Sequence, residues 1–291
     1  MPDPHPGCDA HPQMNDDRLS PGLYIVATPI GNLGDLTPRA ADTLRRADLV
    51  LAEDKRVSAK LLSHSGSKAR LANYNDHTSE AERQRIVSLL GEQAVALVSD
   101  AGTPLISDPG YKLVRDARAA GHSVHTLPGP SAVIAALTLA GLPTDRFLFA
   151  GFLPAKAKAR ADAIAELATV RATLVFYESG PRLADALPAL AAGLGSRDAA
   201  VIREISKLHE ETVTGSLGDL ASRYAEHPPR GEIVIVVGPP AERAAASDDD
   251  LDAALDEAMK RLSPSRAAAE VAAALDIPKK RAYARALERS K

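Results

Sequence analysis

The sequence predicts an α/β protein: a mostly parallel N-terminal sheet, a second α/β domain with a mixed sheet, and a small helical C-terminal region. Three observations carry this. From Leu23 onward, short apolar runs alternate with amphipathic stretches, the pattern of βαβ units on a parallel sheet. After Pro143 the rhythm changes to strand-like runs close enough in sequence to pair antiparallel. Beyond an Ala-rich stretch ending in Asp248, Asp249 and Asp250, only helical patterns remain, and the last of them is basic.

Taken in order, residues 1–19 are rich in Pro, Asp and His and hold no apolar run, so we expect a disordered tail rather than a signal peptide. The first domain is expected at 20–141. Buried strands are expected at 23–28, 49–52, 95–99 and 124–127, with helices at 38–47, 57–63, 79–90, 110–120 and 130–140 between them. Thr37 before Pro38 supplies an N-cap hydroxyl followed by a proline whose missing N–H costs nothing at the first helical position. The second domain is expected at 142–240. It has a strand at 147–153, a helix at 155–169, a strand at 173–177, a helix at 183–194, strands at 199–204 and 211–214, a helix at 217–226 and a strand at 233–237. Residues 241–250 read as a linker. The region 251–291 holds helices at 251–262, 265–275 and 279–287 with a turn at Ile277 and Pro278, an arrangement like a helix-turn-helix.

Composition narrows the function. The chain is 45% hydrophobic and 25% charged, with 35 Lys and Arg against 38 Asp and Glu, a net charge of -3. A protein that gripped long nucleic acid with its whole surface would be clearly basic. Positive charge here is local: from Lys279 to the end there are six Lys or Arg against the single Glu288. Aromatics make up only 3%, with no Trp, which predicts recognition by shape and phosphate contacts with little base stacking. One cysteine, Cys8, excludes an internal disulfide and a Cys-rich zinc site and suits a reducing cytoplasm. No metal site is expected, a solvated tail being the simpler reading of His5 and His11, and no apolar run of membrane-spanning length occurs.

Three loops follow the carboxyl ends of predicted strands, where open α/β sheets bind ligands. The first, residues 27–34, has two glycines but neither the G-x-G-x-x-G nor the Walker A pattern, which argues against a nucleotide triphosphatase. The second, residues 99–110, carries two carboxylates, two prolines and two glycines. Asp100 at the strand end reads as a ligand contact; Asp108 reads either as a contact or as a turn former and cap for the next helix. The third, residues 127–132, brings helix-start N–H groups and the Ser131 hydroxyl to the same edge, with a cap for its own helix as the second reading of Ser131.

Together the segments ATPIGNLGDLTPRA, ADLVLAEDKR, VALVSDAGTPLISDPG and LPGPSAVIAAL resemble the tetrapyrrole-methylase superfamily of S-adenosylmethionine-dependent methyltransferases. FYESGPRL, REISKLHEE and GEIVIVVG further resemble its ribosomal RNA branch, which holds the small-subunit (16S) rRNA cytidine 2′-O-ribose methyltransferases. The likeness runs from about Pro21 to Lys291. It implies two α/β domains with S-adenosylmethionine in the cleft between them, a homodimer, and small-subunit rRNA for a partner; naked RNA and the assembled 30S subunit both stay open on the sequence, with 30S the preferred reading. The cofactor contacts that it implies are Pro29, Asp100, Gly102, Thr103, Pro104, Ser131, Ala132, Tyr177 and Gly231. Three departures stand out: Lys55 where the family often has Thr, Gly180-Pro181 where it often has Pro-His, and Asn75-Asp76-His77-Thr78 where it often has a His-rich run.

The reaction implied is in-line attack of a ribose 2′ oxygen on the sulfonium methyl, with positioning supplying most of the rate and a base taking the hydroxyl proton. Asp100, Glu53, Glu178 and Glu204 are candidates for orientation or base; each also reads as a cap or an ion-pair partner, Glu204 beside Arg203. Arg56, Arg182, Arg203, Lys207 and His209 are candidate RNA phosphate contacts, with solvated surface charge the second reading of Arg182; Lys279, Lys280, Arg281 and Arg285 read as a sequence-independent RNA grip or as a basic helix that stabilises its own C-terminus. Two other functions remain open on the sequence: a tetrapyrrole C-methyltransferase of the same fold, which would not need the residues after Asp250, and a non-enzymatic nucleic-acid binder using the C-terminal helices.

Overall fold

The computed structural model describes residues 18–226, 229–241, 247–275 and 277–290. The expected tail with Cys8, His5 and His11 lies outside the described residues, apart from its last two positions. Two compact units are present, one ending at Pro239 and the other starting at Pro240.

In the first unit, strands β1 (Gly22–Val26), β2 (Leu49–Ala52), β3 (Arg70–Asn73), β4 (Ala94–Val98) and β5 (Val124–Leu127) form a sheet in the order β3-β2-β4-β1-β5, with every pairing parallel. Side chains alternate across it. Tyr24, Val26, Val50, Ala96 and Val98 meet Ala40, Leu44, Leu61 and Leu62 of helices α1 (Pro38–Arg46) and α2 (Lys55–Ser65). Leu23, Ile25, Leu49, Leu51 and Leu97 meet Ile86, Val87, Leu113 and Ala117 of helices α3 (Glu80–Leu89) and α4 (Tyr111–Ala119). The expected cap at Thr37 forms: its hydroxyl accepts the Ala40 N–H at 3.2 Å, and Pro38 opens the helix. Strand β3 has no counterpart among the expected strands. It is an edge strand of Arg, Leu, Ala and Asn with exposed ends, so its period-2 signal is weak.

Helix α5 (Ala132–Ala140) joins this layer to the next. Its Val133, Ala136, Leu137 and Ala140 pack on Val175, Ala200, Ile202, Val234 and Val236 of the second sheet. That shared core explains why the two expected α/β domains form a single compact unit. The second sheet contains β6 (Phe147–Phe152), β7 (Thr173–Ser179), β8 (Asp198–Arg203), β9 (Glu211–Ser216) and β10 (Glu232–Val237) in the order β6-β7-β10-β8-β9. Only β6 and β7 run parallel, so the sheet is mixed as expected. Its other face carries Leu174, Phe176, Val201 and Ile235 beneath α6 (Ala157–Leu167), α7 (Gly180–Leu194) and α8 (Leu217–Tyr224).

The second unit consists of α9 (Asp248–Met259), α10 (Pro264–Leu275) and α11 (Lys279–Arg289) around Leu251, Leu255, Val271, Ala282 and Ala286. The three aspartates expected in a linker form instead the first turn of α9, opened by a capping box between Ser247 and Asp250. Negative charge is favourable against the N–H groups exposed at a helix start. No helix among the described residues is long and apolar enough to cross a membrane.

Candidate active site

The loops after β4, β1 and β5 leave three neighbouring strands at one sheet edge, and hydrogen bonds lace them together. Thr28 and Gly102 exchange backbone bonds of 2.8 and 3.1 Å, and the Thr103 hydroxyl donates to the Pro130 carbonyl at 3.0 Å. The Asp54 N–H donates to Asp100 Oδ1 at 3.2 Å, which draws in the loop after β2. Facing these loops are Phe152 at the end of β6, Tyr177 and Ser179 of β7, and residues 231–234 at the start of β10. Between the two sets lies a cavity of about 320 Å³, walled by Ile30, Ile106, Ala132, Ile205, Ile233 and Val234 and carrying the carboxylates Asp100 and Asp108. A shallower depression beside it is lined by Glu53, Asp54, Lys55, Arg56, Asn73 and Asp100.

Neither loop polar residue caps the helix that follows it, although Asp108 does lie in the bend that leads to Gly110. The N-cap of α4 is Gly110, with no side-chain cap, and Asp108 lines the cavity. Ser131 is the N-cap residue of α5 but makes no cap hydrogen bond, and it too lines the cavity. Burial, then the nearby Glu53 and Asp100 charges, push the Asp108 carboxyl up to about 6 against a pull from a Ser99 hydrogen bond. Glu53 is also raised, by burial first and then by Asp100 and Asp76. Burial, with Asp108 close by, pushes the Tyr177 phenol up to about 12, so it stays a neutral hydrogen-bond donor at ordinary pH. Like charges crowded into an apolar, partly dry space favour a proton or a cationic ligand. Among the described residues no group of three His, Cys, Asp or Glu is placed to hold a metal ion.

Residues 22–221 match the family described as Tetrapyrrole (Corrin/Porphyrin) Methylases, more than two thirds of the chain. The chain belongs to the tetrapyrrole methylase family. Residues 245–290 of this methylase match a second family, the RsmI C-terminal HTH domain. Curated relatives named Ribosomal RNA small subunit methyltransferase I include one from Erythrobacter litoralis, 56% identical over 94% of this chain and 96% of its own. Another, from Escherichia coli O157:H7, is 45% identical over 94% of this chain and 96% of its own. Among solved structures, uroporphyrin-III-C-methyltransferase from Thermus thermophilus superposes with a TM-score of 0.54 at 24% identity, over 74% of this chain and 93% of that one. A diphthine synthase superposes at 0.59 with 16% identity, over 74% and 89%. At such identities these two likenesses concern the fold alone.

Of the residues expected at the methylase's cofactor site, Asp100, Gly102, Thr103, Ser131, Ala132, Tyr177 and Gly231 line the cavity. Pro29 and Pro104 do not: with Thr28 pinned to Gly102, the first loop offers Ile30 instead, and Pro104 is buried in the loop. The residues that sequence reading passed over are the cavity's apolar wall and Phe152, which carry no motif. Of the four carboxylates expected near the chemistry, Asp100 lies in the cavity and Glu53 in the adjoining depression. Glu178 borders the cavity, but its strand position shares a face with Leu174 and Phe176, and its carboxylate takes the Ser179 N–H at 2.9 Å and Arg182 at 3.3 Å. Glu204 is a bracket: its Oε1 accepts the Glu232 N–H at 3.0 Å and Lys207 Nζ at 3.1 Å.

Most of the cations expected to meet RNA are already paired. Arg56 binds Asp54 at 2.7 Å, Arg182 binds Glu178, Arg203 binds Glu211 at 3.2 Å and Lys207 binds Glu232 at 2.7 Å; His209 is exposed. In the second unit, Arg281 binds Asp248 at 2.7 Å and Arg285 binds Asp252 at 2.6 Å, both aspartates on α9. The α9 aspartates thus neutralise one face of the basic helix. Lys279 and Lys280, both exposed, have no ion-pair partner among the described residues.

Proposed function

We propose that this methylase transfers a methyl group from S-adenosylmethionine to the ribose 2′ oxygen of a cytidine in small-subunit rRNA, acting as a cytoplasmic homodimer on the assembled 30S subunit. The observation that carries the reading is the loop of residues 99–110, which brings Asp100 and Asp108 into an apolar cavity where a cationic ligand is favoured. The names of the full-length relatives support the substrate class.

The residues present fit a cationic methyl donor. Asp100 and Asp108 supply opposite charge, Gly102, Ser131 and Gly231 allow backbone approach, and Ile30, Ala132 and Val234 exclude water. When bound, S-adenosylmethionine supplies an electrophilic methyl group and leaves as a neutral thioether. Asp108 is the carboxylate placed to receive the 2′-hydroxyl proton, because its raised proton affinity brings it nearest to working pH. Asp100, held by the Asp54 N–H, orients the cationic end of the ligand.

The test offers methyl-labelled S-adenosylmethionine with unmethylated 30S subunits, free rRNA or a porphyrinoid. Label should enter the 30S rRNA, and nuclease mapping should recover it as 2′-O-methylcytidine; transfer to the macrocycle alone would overturn the reading. The unpaired lysines give a second expected result. Lys279→Ala with Lys280→Ala should weaken RNA binding by a similar factor for all sequences. The slope of log affinity against log salt should become shallower by about 1 to 2, as for the loss of one or two phosphate contacts. Arg285→Ala, which breaks the pair with Asp252, should lower the melting temperature of the helical unit and leave that slope unchanged.

A further inference from the structure

The chain has four Phe, six Tyr and no Trp, yet three of these rings cluster together, and two of them line the cavity. Tyr177 lies 4.7 Å from Phe149 and 5.5 Å from Phe152, edge-on to both at 63°. Strand alternation alone would forbid this, because Phe149 and Phe152 are three residues apart on β6 and belong on opposite faces. The pairing of β6 with β7 slips by one residue between Phe149 and Gly151, and Gly151 sits at φ +68°, which a side chain would strain. The slip restores Phe152 to the side of Phe149 and Tyr177; re-aiming a side chain beside a site is a common use of a β-bulge. Tyr177 and Phe149 are partly buried against the shared core, whereas Phe152, which lines the cavity together with Tyr177, is 55% exposed. An exposed aromatic ring, propped edge-on by Tyr177, which itself leans on Phe149, presents an open face.

We infer that Phe152 is the platform on which the base of the nucleotide being methylated stacks. The inference rests on the RNA reading above and deepens it. For a ribose 2′ oxygen to enter a cavity of this size, its nucleotide must leave its neighbours, and the stacking lost has to be replaced. A planar ring face does this for any base. The adenine of the cofactor is the other planar group available, but a buried ligand meets the inner wall of Ile30, Ala132 and Val234, while RNA arriving from solvent meets the exposed rim first.

The experiment compares wild type with Phe152→Ala, Phe152→Leu and Phe152→Trp on 30S subunits, measuring kcat and KM for RNA and, separately, the Kd for S-adenosylmethionine by equilibrium dialysis. Because the side chain is half exposed, all three should fold, which circular dichroism checks. Ala and Leu should raise the RNA KM about tenfold, within the range for loss of one stacked base. Trp should stay within about threefold of wild type, and cofactor Kd should change less than twofold in every variant. A Leu variant equal to wild type would mean that the ring only fills apolar space. A cofactor Kd that rises in step with KM would mean that the ring serves adenine. Either result overturns the inference while leaving RNA methylation by the wild type intact. Wild type inactive on 30S and free rRNA but active on a porphyrinoid would instead remove the reading beneath it.

Discussion

Asp108→Asn is expected to lower methyl transfer by about 10²- to 10⁴-fold, the usual worth of a positioned acid–base group, while making the protein more stable at neutral pH. The folded protein holds the Asp108 proton up to about pH 6, well above the ordinary carboxylate range near 3.9, so the folded state binds this proton more tightly than the unfolded chain does. The stability that this proton contributes is therefore present below the unfolded value and is lost as pH rises through about 6. Asparagine, neutral throughout, avoids that loss. Urea titrations should find wild type and variant converging near pH 4 and the variant ahead by about 2 kcal/mol above pH 7, solvent screening of the partly exposed carboxyl having moderated the difference. In kinetics, the wild-type kcat/KM profile should have an acid limb near 6 that the variant lacks. A variant with wild-type turnover would remove Asp108 from the chemistry.

The second large effect is expected at Gly231. Its φ is +107°, and a Cβ there would stand 2.5 Å from Glu204 Oε1, the atom that holds the Glu232 N–H and Lys207. Gly231→Ala should cost about 3 kcal/mol, combining backbone strain with displacement of a bracketed carboxylate, and lower Tm by roughly 6 to 12 °C. Because Gly231 lines the cavity and Glu204 anchors the segment that supplies Ile205, affinity for S-adenosylmethionine should fall as well. Calorimetry on a double-mutant cycle with Glu204→Ala separates the causes: removing the carboxylate relieves the clash and leaves only the strained φ. Additive losses would show that Glu204 is not what the new methyl group meets.

Much of the fold was legible because most of its elements obey simple periods. The first-sheet strands β1, β2 and β4 are continuous apolar runs buried on both faces, and α1 announces itself by Thr37 and Pro38. β3 escaped because an edge strand of four residues with polar ends looks like a loop. The 248–250 aspartates escaped because a run of acids reads equally as solvated linker or as helix start, and only the capping box decides. In the site, the loops with glycine, proline and carboxylate were legible, since strand ends followed by such residues are where α/β sheets bind ligands. The apolar wall was not, because Ile30, Ile205 and Val234 differ in no local way from other core residues. Nor was the pairing of the cations: the basic count of the last helix is plain in the sequence, but Asp248 and Asp252 lie 33 residues away from the arginines they bind.

The sequence by itself determined the layers, the three strand-end loops that line the cavity and the family resemblance, because each rests on a local period or a contiguous motif. Tertiary structure alone decided that Asp108 is raised to about 6, which basic side chains of the last helix are paired with aspartates, and that a composition poor in aromatics still gathers three rings, two of them lining the cavity. These properties depend on dielectric, charge and contact between residues far apart in the chain, and the one-residue slip in β6 that aims Phe152 exists only once that strand is paired with its neighbour.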